Sequence, residues 1–214
     1  MNAIQTLAIS ALPVIFAITL HEAAHGYVAR HFGDPTAWQL GRISLNPLRH
    51  IDPIGTVLVP AMILLVSSGG FLFGWAKPVP VNFGRLRRPK QDMLWVAAAG
   101  PGANLLMALM WGLLLKIVVG SPDFAYAEAL IAMAKVGIQI NGVLMLLNLL
   151  PLPPLDGGRI AVSLLPPAMA YRFSQIERFG LLNLLALLFT GVLDGILRPL
   201  LKVFYSFISA LFGF

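Results

Sequence analysis

The sequence reads MLWVAAAGPGANLLMALMWGLLL at residues 93–115, a stretch of 23 residues without a charged side chain. About 20 consecutive apolar residues suffice for a helix to cross the bilayer. Three further uncharged stretches, at residues 1–21, 53–76 and 136–155, are each at least 20 residues long. Four such stretches in a chain of 214 residues indicate an integral membrane protein.

The overall composition also departs from that of soluble domains. Hydrophobic residues make up 58% of the chain and charged residues 11%, against about 45–50% and about 25% in soluble proteins. The mean hydropathy is +0.82, and the formal net charge is +6. Basic loop residues orient membrane proteins, so this charge requires no nucleic-acid partner and we expect none. The absence of cysteine excludes disulfides, thiol nucleophiles and thiolate metal sites.

We therefore predict an all-α polytopic membrane protein with about four to six transmembrane helices. The chain is interpreted as one integral-membrane domain, residues 1–214. Within it, a motif-bearing core covers about residues 4–165, and C-terminal membrane helices cover about residues 176–214.

The uncharged stretches and the turn residues between them predict where the helices lie. The expected helices cover about residues 4–31, 92–119 and 125–150, and a last crossing starts near residue 178. Asp194-Gly195 and Pro199 could divide that crossing into a helix ending at residue 193 and a second short helix or interfacial tail.

The apolar stretch at residues 53–73 has basic residues on both sides. Arg42 and Arg49 precede it, and Lys77 and Arg85 follow it. A single crossing would place one of these groups outside, so we predict a re-entrant element that enters the membrane and returns. Together with the Pro-rich residues 74–82, it forms the expected re-entrant or short β element before the helix at residues 92–119.

Charge placement also predicts the orientation. With the re-entrant element, 11 of the 15 basic residues face the cytoplasm and the N-terminus lies outside. These basic residues are Arg30, Arg42, Arg49, Lys77, Arg85, Arg87, Arg88, Lys90, Arg159, Arg172 and Arg178.

The motif HEAAH, at residues 21–25, follows the first uncharged stretch. His21 and His25 lie about 40° apart around a helix, so both imidazoles can bind one metal ion. Glu22, about 60° from His25, can accept a proton from water beside that metal, as the general base of a metallopeptidase does. Such motifs also occur by chance on soluble helices. In a membrane helix, however, these polar groups are unfavourable unless they face a polar interior.

A catalytic zinc ion requires three protein ligands, so a distant third donor is expected. The candidates are His31, His50, Asp52 and Asp156. His31 is expected at the end of the first helix and His50 in a loop. Asp156 follows a proline-terminated helix and precedes two glycines that allow close backbone approach, although it could instead cap a helix.

Two asparagines in apolar stretches and one extended segment are expected to form hydrogen bonds with groups elsewhere. Asn148 is a polar side chain in an apolar stretch, and Asn104 is expected to form an interhelical hydrogen bond. In residues 77–81, Pro78 and Pro80 lack an N–H group, whereas the N–H groups of the alternate residues could pair with an extended substrate. A rigid loop at residues 77–81 is an equally good interpretation.

The sequence resembles the site-2 protease family of intramembrane zinc metallopeptidases. The resemblance rests on three ordered motifs: HEAAH at residues 21–25 resembles HExxH, GPGAN at 100–104 resembles GPxxN, and NLLPLPPLDGG at 148–158 resembles NxxPxPxxDG. Within this family, the sequence most resembles the compact prokaryotic group that lacks PDZ and CBS domains.

The resemblance implies specific roles. His21, His25 and Asp156 would bind one Zn²⁺ ion, Glu22 would be the catalytic base, and Asn148 would lie near the substrate or its oxyanion. The implied partners are the lipid bilayer and a transmembrane protein substrate. The implied location is a prokaryotic cell membrane, with the active site toward the cytoplasm. Two other functions stay open from the residues alone: an ion- or proton-conducting transporter and a catalytically silent membrane scaffold.

Overall fold

The computed structural model describes residues 3–59, 61–62, 74, 76–121 and 123–214. Within these ranges the regular elements are helices and no strand forms. The α-helices are α1 (Ala3–His31), α2 (Thr36–Gln39), α3 (Pro89–Val119), α4 (Ala127–Asn148), α5 (Asp156–Leu164), α6 (Pro167–Ser174), α7 (Gly180–Phe189) and α8 (Val192–Phe212). Short 3-10 turns occupy Pro47–His50, Phe83–Arg85 and Gln175–Phe179, and a π-helical turn occupies Pro53–Leu58.

Four of these helices are long and apolar enough to cross a membrane: α1, α3, α4 and α8. The prediction of an all-α polytopic membrane protein is therefore confirmed. The helices expected at residues 4–31, 92–119 and 125–150 agree with α1, α3 and α4 to within a few residues.

Helix α3 is central, because it packs against α1, α4, α5 and α8. Glycines let the helices approach closely where aromatic rings meet them. A Cβ added to Gly137 would lie 2.4 Å from the Trp111 ring, and one added to Gly142 would lie 2.5 Å from the Phe204 ring. Lipid is as apolar as a leucine side chain, so membrane helices associate through such tight packing of small residues.

The C-terminal crossing divides earlier than predicted. The break lies at Gly191, whose φ of 74° is in the left-handed region that glycine adopts readily. Helix α8 then runs unbroken past Gly195 and Pro199, so the predicted division at these residues is wrong. Packing of a membrane helix against its neighbours tolerates an internal proline.

Between α1 and α3, the described residues form short helical turns joined by irregular backbone. No strand forms at residue 74 or at residues 76–88, so the predicted short β element is not found in that part of the chain. The predicted re-entrant stretch falls mainly on residues 63–73, which lie outside the described residues.

Candidate active site

The HExxH residues lie in the C-terminal half of α1, where the helix is enclosed by its neighbours. The side chains of His21 and His25 are both buried, and their Nε2 atoms are 3.1 Å apart. Asp156, the first residue of α5, brings its Oδ2 atom to 3.2 Å from His21 Nε2 and 3.3 Å from His25 Nε2. The structure thus brings Asp156 to the two histidines, which lie more than 130 positions before it in the sequence.

Two glycines allow Asp156 to reach the histidines. A Cβ on Gly157 would lie 2.2 Å from the Leu150 carbonyl oxygen, and a Cβ on Gly158 would lie 2.5 Å from the Pro153 nitrogen. The predicted close backbone approach is therefore confirmed. Leu155, not Asp156, is the N-cap residue of α5, so the alternative of a helix-capping aspartate does not hold.

The protonation of the two imidazoles follows from what their Nδ1 atoms contact. His21 Nδ1 lies 2.6 Å from Asn104 Oδ1, and His25 Nδ1 lies 2.7 Å from the Val96 carbonyl oxygen. Both partners are acceptors, so each Nδ1 carries the hydrogen and donates it. In the neutral imidazole, Nε2 then has a free lone pair, which is the form that binds a metal ion.

These donor atoms fit a zinc ion. Tetrahedral bonds of about 2.0–2.1 Å to nitrogen or oxygen would hold ligand atoms roughly 3.3 Å apart, close to the 3.1–3.3 Å found here. Asp156 Oδ2 is buried and accepts no hydrogen bond. Two lone pairs and a carboxylate oxygen facing one another need a cation between them.

The charge of Asp156 and the space beside the two imidazoles are both compatible with a bound zinc ion. Burial alone would raise the pKa of the Asp156 carboxyl, but hydrogen bonds and positive charge from the two imidazoles, when these are protonated on Nε2, outweigh burial and hold that pKa below its usual range. Asp156 therefore offers a carboxylate. Gly100 keeps the space open, since a Cβ there would lie 2.4 Å from His25 Nε2 and 2.6 Å from His21 Nε2.

The other candidate ligands lie elsewhere. His31 is exposed at the end of α1, against the Phe32 ring. His50 is buried, and its Nε2 donates to the Ser44 carbonyl 2.8 Å away. Asp52 accepts hydrogen bonds from backbone N–H groups at the start of a π-helical turn. Over the ranges that the structure covers, His21, His25 and Asp156 are the one group of three potential metal ligands.

Glu22 lines a cavity of about 170 Å³, and the three ligand residues line the same cavity. Its Oε2 atom accepts a hydrogen bond of 2.7 Å from the backbone N–H of Val79. Asn148 lines the same cavity, and its Nδ2 donates to the Leu144 carbonyl of its own helix, 3.0 Å away. Arg159, which the sequence did not single out, lies at the cavity with its guanidinium 5.0 Å from the Phe83 ring centre.

Residues 77–81, here called the front segment, form one wall of this cavity through Pro78, Val79 and Val81. Lys77 N–H donates to the His50 carbonyl at 2.9 Å, and Val79 N–H donates to Glu22. The expectation that the N–H groups of Lys77, Val79 and Val81 could pair with a substrate is therefore wrong for Lys77 and Val79, whose N–H groups the protein already uses.

Two polar side chains hold the front segment and the residue that follows it, and neither is a site residue predicted from the sequence. Arg42 Nη2 donates to the carbonyls of Lys77 and Pro78, at 3.1 and 3.3 Å. Asp34, fully buried beyond the end of α1, accepts from the N–H of Asn82 at 2.6 Å. An aspartate directly after a glycine that ends a helix was the available signal, but the partner lies 48 residues away.

Comparison with known proteins identifies the family. The chain is 39% identical over 206 residues to "Putative zinc metalloprotease YwhC" of Bacillus subtilis, an alignment that covers 94% of this chain and 90% of that protein. The sequence profile of Peptidase family M50 also matches residues 115–191. The chain belongs to peptidase family M50. The resemblance to site-2 proteases drawn from the three motifs is thereby confirmed.

Other relatives agree with M50 membership. "Putative zinc metalloprotease Rip2" of Mycolicibacterium smegmatis is 30% identical over 194 residues, covering 90% of this chain and 71% of that protein. No solved structure matches the chain. The matched M50 profile contains Asp156 but not the HExxH residues, so the link between the two halves of the site comes from the fold.

Proposed function

We propose that this M50 member is an intramembrane zinc metalloprotease that hydrolyses peptide bonds within or next to transmembrane segments of membrane proteins. One observation carries the proposal: His21, His25 and Asp156 converge within 3.3 Å beside Glu22, among helices long enough to span a bilayer. Family membership favours this function over a transporter or a silent scaffold.

The three converging residues are assigned as the zinc ligands. A bound zinc ion supplies Lewis-acid chemistry, in that it acidifies water and polarises the peptide carbonyl. The chain's part is to offer two unprotonated Nε2 atoms and one carboxylate oxygen. The two imidazoles are held in place from behind by hydrogen bonds to Asn104 and to the Val96 carbonyl.

Glu22 is assigned as the general base. The Val79 N–H binds Oε2 and orients the carboxylate, so Oε1 is the oxygen assigned to the attacking water. Glu22 accepts the proton of that water and passes it to the nitrogen of the leaving amine as the peptide bond breaks. The proton is thus returned, and the carboxylate is ready for another cycle.

Asn148 is assigned a contact with the substrate carbonyl or its developing negative charge. An amide NH₂ group has two hydrogens. One of them is used on the Leu144 carbonyl, which leaves the second for a donor role at the cavity that Asn148 lines.

The substrate must present an extended peptide to this cavity. A transmembrane helix hides its carbonyls in its own hydrogen bonds, so it has to unwind locally before attack. We assign the front segment to the border of the substrate groove, on the ground that its side chains line the cavity beside Glu22. The basic residues favour an active site toward the cytoplasm and an N-terminus outside, with water entering from the cytoplasmic side.

The test is Glu22→Gln in the full-length protein, reconstituted with a panel of transmembrane segments as substrates. The amide keeps the shape of the carboxylate but is a poor base, so we expect zinc content equal to wild type and loss of cleavage. Glu128→Gln, at an exposed position in the first turn of α4, is the matched control and should leave both unchanged. Peptidase activity that survives in Glu22→Gln would overturn the assignment of the base.

A further inference from the structure

Two buried asparagines lie behind the ligand cluster. Asn104 on α3 and Asn141 on α4 are each 0% exposed. Asn104 Oδ1 lies 2.6 Å from His21 Nδ1, and Asn104 Nδ2 donates to Asn141 Oδ1 at 2.9 Å and to the Ala17 carbonyl at 3.2 Å. Asn141 Nδ2 donates to the Gly137 carbonyl at 2.8 Å. We call Asn104 and Asn141 the rear network.

The direction of every hydrogen bond in the rear network is set by two backbone carbonyls. The carbonyls of Gly137 and Ala17 can only accept, so the NH₂ group of each asparagine must face its carbonyl. Asn141 Oδ1 is thereby turned to Asn104, and Asn104 Oδ1 is turned to His21. Because that oxygen can only accept, His21 must carry its hydrogen on Nδ1 and leave Nε2 bare.

The two histidines differ in this respect. His25 Nδ1 donates to a backbone carbonyl, that of Val96, which no side-chain substitution removes. His21 Nδ1 instead donates to a side chain, that of Asn104, which a substitution can remove. Amides also suit the site better than the carboxylate often found behind a zinc-bound histidine, because a second negative charge buried between membrane helices is unfavourable.

We propose that Asn104 and Asn141 are positioning residues that fix the tautomer and ring orientation of His21 and thereby set the affinity for zinc. The inference rests on the proposed function, in which His21 is a zinc ligand. Asn104 acts directly on His21. Asn141 acts through Asn104, because it prevents the Asn104 amide from turning its NH₂ group toward the imidazole.

The experiment measures the zinc dissociation constant of the detergent-solubilised full chain by competition with a chelator, and the visible absorption spectrum after Co²⁺ substitution. In Asn104→Leu the acceptor behind His21 is lost, so we expect about 10–100-fold weaker zinc binding, the usual effect of removing such a partner. The Co²⁺ bands should shift as the imidazole reorients. Asn141→Leu should show a smaller loss of affinity in the same direction.

The Asn141→Asp variant distinguishes a role in positioning His21 from a role in helix packing alone. A buried carboxyl favours its protonated form, which offers one donor and one acceptor like the amide it replaces. This variant should therefore regain most of the affinity lost in Asn141→Leu. Met145→Leu, a buried apolar change on the same helix away from His21, is the control and should bind zinc like wild type.

Two results would overturn the inference: zinc affinity and Co²⁺ bands in Asn104→Leu that match wild type, or Asn141→Asp binding zinc no better than Asn141→Leu. If Asn104→Leu does not fold, the two Asn141 variants decide. A parallel measurement on His21→Ala separates the two proposals. Loss of zinc there, with full affinity in the asparagine variants, refutes the positioning role alone. Full affinity in His21→Ala refutes the zinc site.

Discussion

The two sides of the ligand cluster are held in different ways. Behind it, the rear network is fully buried and links α1, α3 and α4 through side-chain amides. On the opposite side of the cluster, the front segment is irregular backbone, held to the rest of the protein through Glu22 and Arg42. We infer that the rear governs metal affinity, whereas the front governs proton transfer and substrate binding.

The contrast has a physical reason, because one side holds a metal ion and the other side admits a substrate. A metal site needs donor atoms held to within a fraction of an ångström, and interhelical hydrogen bonds between buried side chains supply that rigidity. A substrate must enter and leave, so its groove is better formed by a segment that is not packed on all sides. Substitutions on the two sides should therefore separate zinc binding from turnover.

The largest effect is expected from Gly100→Ala on the rear side. The added Cβ would lie 2.4 Å from His25 Nε2, far inside the roughly 3.5–4.0 Å of a normal contact. Both imidazoles would have to move, so we expect a loss of zinc affinity of about 100-fold or more, together with loss of activity. Metal content after dialysis against a weak chelator measures it.

Gly102→Ala provides the control for that substitution. It lies in the same helix, and an added Cβ there meets nothing within 4 Å, so zinc content should equal that of wild type. Normal zinc binding in Gly100→Ala would mean that the space between the two Nε2 atoms is not where the ion lies.

A smaller effect, on turnover alone, is expected from Val79→Pro on the front side. Proline removes the N–H group that donates to Glu22 Oε2. A hydrogen bond to a charged group contributes about 1.5–3 kcal/mol, so kcat should fall roughly 10–100-fold. Zinc affinity should not change. Val79→Ala keeps the N–H group and should retain most of the activity. Equal kcat in Val79→Pro and Val79→Ala would show that this N–H does not orient the base.

The smallest effect is expected from Arg42→Gln, which weakens the anchoring of the front segment. The guanidinium donates to the carbonyls of Lys77 and Pro78 from a half-buried position, a contribution of about 0.5–1 kcal/mol. We expect KM to rise about 2–5-fold with zinc binding unchanged. Arg172→Gln on α6 serves as the charge-matched control. A changed zinc affinity in Arg42→Gln would contradict the division between front and rear.

The ligands and the base could be predicted from the sequence better than the residues that support them. His21, Glu22 and His25 are close in sequence, and helical periodicity alone places them together. Asp156 was one of four candidates by residue type, and its motif favoured it. Asn141 and Arg42 carry no local signal, because a single polar residue in a helix or loop gives no information on its distant partner.

The prediction at the C-terminus was wrong for a related reason. Proline and the Asp194-Gly195 pair are strong breakers in isolated helices, yet α8 continues through them. Its buried Phe204 and Ile208 pack against α3 and α4, and tertiary packing of this kind overrides a local propensity of a few kcal/mol.

The sequence by itself determined the membrane character, the apolar helices α1, α3 and α4 and the chemistry of HExxH, because hydropathy and helical spacing act over short stretches of chain. Only the tertiary structure decided which carboxylate joins the two histidines, which amides orient His21, and which backbone N–H holds Glu22. Those contacts join residues between 37 and 135 positions apart, and directional hydrogen bonds over such separations form only after the helices have packed.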